Sequence, residues 1–138
     1  MRVASFPNVS DVVRRRMARV RKADTKPELA VRSLCHRLGY RFRLHYRRLP
    51  GTPDMVFPRL RKLIFVHGCF WHQHGCGLGP VPRSRQEYWI PKLERNVGRD
   101  RRVRGELVRL GWRVLVVWEC ETRSEGALED QLAAFLEG

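Results

Sequence analysis

The segment WRVLVVW, residues 112 to 118, constrains this chain more than any other. It is too short for a helix buried on all sides, and it is apolar at successive positions rather than alternate ones, with Arg113 the only interruption. That pattern marks a central strand covered on both faces. Covering both faces requires a layer above the sheet and a layer below it, and the rest of the chain supplies candidates. Thr25 and Glu28 form a capping box with Pro27 near the first turn. Val31, Leu34, Cys35 and Leu38 then follow at helical spacing before Gly39. Cys35 lies on that stripe and reads as a core thiol. Tyr40, Phe42, Leu44 and Tyr46 alternate with Arg41, Arg43, His45 and Arg47, predicting a strand with one buried and one basic face. LPGTP (49 to 53) is turn chemistry. The runs Met55 to Phe57 and Leu63 to Val66, separated by a basic turn, predict a hairpin. Residues 68 to 82 fit neither period. Ser84 with Glu87 opens a second capping box and a long helix to about Leu110, kinked or restarted at Pro91 and ended by Gly111. A last helix, about Ser124 to Leu136 and capped by Ser124, carries Leu128, Leu132, Phe135 and Leu136 on one side. The order α, three strands, α, strand, α predicts an α/β sandwich with a mixed sheet.

Length and charge narrow the function. At 138 residues and 43% hydrophobic composition the chain is sized for one core, assigned here to residues 24–138, behind a basic arm at 1–23 that holds Arg14, Arg15, Arg16, Arg19, Arg21 and Lys22. The formal charge of +14 points to a polyanion, either nucleic acid or an anionic surface, without choosing between them. No run of about 18 apolar residues spans a membrane and no apolar region marks a secretion signal, so a cytoplasmic location is expected. Four cysteines are few for a disulfide scaffold, and in a reducing compartment they more often pack or bind metal.

The chemistry concentrates in HGCFWHQHGC, residues 67 to 76, directly after a predicted strand. Zinc takes four Cys or His ligands in a tetrahedron. Cys69, Cys76 and one loop histidine supply three, and Cys120, beyond the last strand, can supply the fourth, although the spacing of Cys69 and Cys76 is not that of a standard knuckle. Asp54 opens the strand paired with the one that leads to His67, and a carboxylate there can hold Mg²⁺, which needs few protein ligands. Phosphodiester cleavage at neutral pH needs a cation against the phosphate and a group to deprotonate water. Asp54 fits the first role, and His67 or His72 the second. Phe70 and Trp71 in the loop and Trp89 in the long helix could stack on bases or wedge between them. Trp112 and Trp118 belong to the strand and are expected in the core.

These residues carry a resemblance. TKPE (25 to 28), LPGTPDMVF (49 to 57), FVHGCFWHQHGC (65 to 76), EYWIPKLERNVGRD (87 to 100) and LGWRVLVVWEC (110 to 120) closely resemble the very short patch repair endonucleases, DNA mismatch endonucleases of the restriction-endonuclease-like superfamily. The resemblance implies a three-layer α/β sandwich around a central mixed sheet, with a structural zinc site. It implies an Mg²⁺-dependent enzyme that nicks double-stranded DNA 5′ of the thymine in a T:G mismatch left by deamination of 5-methylcytosine, acting as a monomer before a repair polymerase. Carried over by position, Asp54 is the Mg²⁺-binding acid, His72 the general base, Asp100 the acid that orients it, His67 a second active-site histidine and Glu28 a helix acid of the site. Cys69, His74, Cys76 and Cys120 match the zinc ligands. Phe70, Trp71 and Trp89 match the intercalating aromatics, with Arg14, Arg15, Arg16 and Asn96 at the DNA. Val66 stands where the family pattern has a Thr associated with the metal, which its main chain can serve. The Glu-x-Lys half of the superfamily motif is absent, which implies a histidine-based mechanism. Two competing readings are a restriction-type nuclease with other DNA specificity and a non-catalytic zinc-dependent DNA-binding protein.

Overall fold

The computed structural model describes residues 24–69 and 85–138. Thr25 closes the first turn of helix α1 (Lys26–Arg37), its hydroxyl accepting the Glu28 N–H at 3.4 Å. The Glu28 carboxylate reaches back to the Asp24 N–H (2.9 Å) rather than to Thr25, so the box closes one residue earlier than its sequence pattern predicts. Val31, Leu34 and Cys35 are buried along the predicted stripe. Burial pushes the Cys35 thiol up to about 12, which suits an inert packing group.

Strand β1 (Arg43–Leu44) is followed by β2 (Met55–Phe57), a 3₁₀ turn (Pro58–Leu60) and β3 (Lys62–His67). Helix α2 (Gln86–Arg109), β4 (Arg113–Trp118), a second 3₁₀ turn (Glu119–Arg123) and α3 (Glu125–Glu137) complete the order. The sheet runs β1-β2-β3-β4, antiparallel across the first two pairs and parallel across β3 and β4. Alternation along the strands divides the core into two layers. Met55, Phe57, Ile64 and Val117 pack with α1 and α3 through Val31, Leu34, Leu128, Leu132 and Leu136. Val56, Leu63 and Phe65 pack on the other face with Leu107 and Val103 of α2. The result is an α/β sandwich of three layers.

Four details depart from the sequence reading. The predicted strand over 40 to 47 shrinks to two residues, because His45 adopts φ +46 and breaks the alternation. Tyr40 and Phe42 pack on the α1/α3 face and Tyr46 on the α2 face, while Leu44 is exposed. Strand β4 is covered on both faces but is an edge of the sheet, and β3 takes the centre with its first four residues buried. A continuous apolar run reports covered faces and says nothing of edges. Trp112 and Trp118 are accordingly half-buried at its ends, Trp112 under the Arg61 guanidinium at 4.6 Å. Helix α2 runs on through Pro91. Ser124 holds the N-cap position of α3 without a side-chain cap bond, and the other end of that helix is tied down by Lys62, whose buried Nζ donates to the carbonyls of Phe135 (2.7 Å) and Leu136 (2.9 Å). Ser84, predicted to cap α2, lies outside the described residues. No helix among the described residues is long and apolar enough to cross a membrane.

The loop into β2 is held tightly. The N–H groups of His45 and Tyr46 donate to the carbonyls of Asp54 and Pro53, both at 3.1 Å, closing the LPGTP turn. Gly51 sits at φ +76 within it, and a Cβ there would lie 2.5 Å from Val103 Cγ1 of α2 and 3.3 Å from Phe65. Gly51→Ala therefore combines left-handed strain with overpacking and should destabilise the fold by about 2–4 kcal/mol, measured by chemical denaturation.

Candidate active site

The sheet's pairing gathers the acid and the histidine predicted from sequence at one end. Because β2 is antiparallel to β3, the residue that opens β2 lies beside the last turns of β3. Pro53, which would face Val66 in the continued register, already gives its carbonyl to Tyr46. The Val66 N–H donates instead to Asp54 Oδ2 at 2.6 Å. Burial pushes the Asp54 carboxyl up to about 6; the Val66 hydrogen bond opposes this, Glu28 adds to it by repulsion, and the charges of His45 and Arg32 oppose it again. A carboxylate left half-neutral near pH 6 is one that a cation would restore to its charged form.

Glu28, on the inner side of α1, is 4% exposed. Its Oε2 takes the Asp24 N–H and the Arg32 guanidinium (3.0 Å). Arg32 also meets Asp24 at 2.7 Å and His45 Nε2 at 3.0 Å. The Arg32 hydrogen bond holds Asp24 below the usual carboxylate range. Sequence reasoning missed Asp24, Arg32 and His45. Arg32 carried a signal, its i+4 spacing from Glu28 on the same helix. His45 carried none, since it reads as one more residue of a basic strand face.

His67 ends β3 between the rings of Phe65 (5.5 Å) and Trp118 (5.3 Å), which fixes its plane against the sheet. The offset between β3 and β4 pairs His67 with Trp118, so Cys69 and Cys120 each lie two residues beyond the ends of adjacent strands. The Cys69 N–H also donates to Glu119 Oε1 at 3.3 Å, tying the start of the loop to the turn after β4. Two thiols at one end of adjacent strands are donors of the kind zinc selects. The other two expected ligands, His74 and Cys76, lie outside the described residues, as do His72, Phe70, Trp71, Arg14, Arg15 and Arg16.

Asp100 and Asn96 lie one turn apart on α2 and are half-buried. Asn96 accepts a hydrogen bond from Arg99 at 3.3 Å. Asn96 borders a groove of about 750 Å³ on α2 that is also lined by Tyr88, Lys92, Arg95, Arg99 and Arg102. Burial, with repulsion from Arg95, lowers the Lys92 pKa, a crowding that an anion would relieve. Trp89 is not presented to a duplex in this structure. It is 1% exposed because it shares the buried stripe of α2 with Leu93, four residues on.

The fit to metals follows from the donors. Asp54 and Glu28 offer oxygen at the sheet end, the chemistry of a hard cation such as Mg²⁺. The Val66 main chain is already at Asp54 through its N–H.

Comparison with known proteins bears on this site. Residues 10–78 match the family model described as DNA mismatch endonuclease Vsr. The chain is 57% identical over 121 residues to the type II nicking enzyme V.XorIIP of Xanthomonas oryzae pv. oryzae, covering 88% of this chain and 89% of that one. It is 46% identical over 115 residues to DNA mismatch endonuclease Vsr of Escherichia coli (83% of this chain, 74% of the relative). To the type II nicking enzyme V.NmeAIP of Neisseria meningitidis it is 36% identical over 116 residues (84% and 83%).

The raised Asp54 carboxyl makes a pH prediction. A carboxyl whose folded pKa lies above its unfolded value contributes stability that is present below about pH 4 and lost as pH rises through about 6. In the presence of chelator, Asp54→Asn should therefore be more stable than the wild type by about 2 kcal/mol at pH 8, with the gap closing by pH 4. Parallel urea titrations at the two pH values measure it; a gap that does not change with pH would contradict the assignment.

Proposed function

Because the chain belongs to the Vsr family of DNA mismatch endonucleases and is an endodeoxyribonuclease, we propose that it nicks one strand of double-stranded DNA, 5′ of the thymine in a T:G mismatch, with Mg²⁺ at Asp54. The observation that carries this reading is the half-buried Asp54 carboxylate, held by the Val66 N–H at the end of the sheet where β3 runs into His67. Mg²⁺, when bound, offsets the charge that develops on the scissile phosphate. Asp54 and the Val66 main chain hold it, and Glu28 stands beside Asp54 as a second acid. His72, oriented by Asp100, takes the proton from the attacking water, and His67, fixed between two rings, faces the phosphate. The products are a 3′ hydroxyl and a 5′ phosphate.

Zinc on Cys69, His74, Cys76 and Cys120 ties the loop to the sheet, a role supported by Cys69 and Cys120 each following by two residues the end of one of two adjacent strands. Phe70 and Trp71 form the wedge that opens the mismatch. Phosphate contacts come from Arg14, Arg15 and Arg16 in the arm and from the α2 groove beside Asn96, where Arg95 and Arg99 are exposed. The enzyme acts in the cytoplasm as a monomer, since one domain on one asymmetric lesion needs no second copy, and hands the nick to a repair polymerase. Relatives named as nicking enzymes support strand-specific cleavage.

Nicking of a panel of mismatched and fully paired duplexes with Mg²⁺ tests the reading. The wild type should prefer T:G, and Asp54→Ala and His72→Ala should each lose about 10²-fold or more. Cleavage of paired DNA at the T:G rate would favour the restriction-type alternative, and folded Asp54→Ala nicking as fast as wild type would remove the catalytic assignment. Replacing Arg95 and Arg99 together by Ala should weaken binding to matched and mismatched duplexes alike and reduce the slope of log K against log salt by about 2, measured by fluorescence anisotropy.

A further inference from the structure

Asp24, Glu28 and His45 place three ligand atoms within 4.8 Å of one another, a grouping that could hold a metal ion. In this chain a cation already stands among them. A single nitrogen of Arg32, Nη2, lies 2.7 Å from Asp24, 3.0 Å from Glu28 and 3.0 Å from His45. Neither core member is screened by water: the Arg32 side chain is 14% exposed and that of Glu28 6%. Packing alone does not account for this arrangement. The Arg32 Nε is buried with no hydrogen-bond partner among the described residues, and an apolar side chain of similar length would fill the same space without that penalty. The planar guanidinium is, however, suited to bridging several acceptors held by different elements, here the start of α1 and the segment after β1. That segment is the one whose backbone N–H groups hold Asp54 and Pro53.

We propose that Arg32 is a positioning residue of the nuclease site, a fixed internal cation that fills the Asp24, Glu28 and His45 cluster and holds the Glu28 carboxylate and the His45 segment against Asp54. It touches no reacting atom; it acts through Glu28 and His45. Removing the guanidinium has two separable consequences. Glu28 and the His45 segment lose the tether that fixes them beside Asp54, which slows the chemical step without altering how the duplex is held. The cluster is also left without its cation, and becomes open to a divalent ion. A lysine keeps the charge and has donors enough, but its mobile ammonium lacks the fixed plane of the guanidinium, so Arg32→Lys should fill the cluster and recover only part of the rate.

The kinetic half of this inference rests on the nuclease reading above; the filling of the cluster does not. The experiment therefore reads both on the full chain, comparing wild type, Arg32→Met, Arg32→Lys and Asp54→Ala. Bound Mn²⁺ is counted by electron paramagnetic resonance without DNA, and nicking of a T:G duplex is followed with Mg²⁺. Arg32→Met should bind one more Mn²⁺ per chain than wild type at the same free concentration, and Arg32→Lys no more than wild type. The kcat of Arg32→Met should fall at least ~10-fold with KM for the duplex nearly unchanged. An unchanged Mn²⁺ count in Arg32→Met overturns the proposal, as does a wild-type kcat in that variant when Asp54→Ala is inactive. If Asp54→Ala nicks like wild type, the nuclease assignment fails and the Mn²⁺ count alone judges Arg32. Should Arg32→Met not fold, Arg32→Gln, polar and uncharged, carries the same two measurements.

Discussion

Strand β3 is the element on which the rest of the structure depends. It pairs on one side with β2, antiparallel, and on the other with β4, parallel, and its side chains alternate between the α1/α3 layer and the α2 layer. One consequence is the sandwich itself. The other is that three chain segments far apart in sequence end together. The start of β2 brings Asp54, the end of β3 brings Val66 and His67, and the end of β4 brings Trp118 against His67. A shift of one residue in either register would turn each of these side chains to the other face.

At this end of the sheet the electrostatics are divided between two acids with different surroundings. Asp54 is desolvated and receives one short backbone hydrogen bond, so its carboxyl is raised to about 6 and is ready for a cation. Glu28 is more deeply buried and is met by a guanidinium and a backbone N–H. Placing a solvated acid at either position would remove this difference. The basic groove on α2 contributes at a longer range. Its arginines place positive charge along one face of the helix.

Much of the fold was legible because the signals were local. Helix α1 with its Thr25 cap, the β2–β3 hairpin and the end of α2 at Gly111, where φ is +91, follow from side-chain periodicity and turn chemistry that act within a few residues. Expectations failed where a distant contact overrode a local pattern. The alternation from Tyr40 to Tyr46 predicts one buried face, yet the bonds from His45 and Tyr46 to Asp54 and Pro53 force His45 to positive φ and send Tyr46 to the opposite layer. Trp89, which the resemblance matches to an intercalating aromatic, is buried in this structure on the stripe it shares with Leu93.

By itself the sequence determined the α/β class, the covered faces of its last strand and the kinship carried by the segment around HGCFWH. These are properties of residue type and short spacing. The tertiary structure alone decided that β3 rather than β4 is central among the described strands, that the Cys69 N–H reaches Glu119 beyond β4, and that Arg32 from α1 meets His45 across the site. Each of those depends on strand order and register, which arise when two layers of helices close on the sheet together, and no local pattern of side chains encodes them.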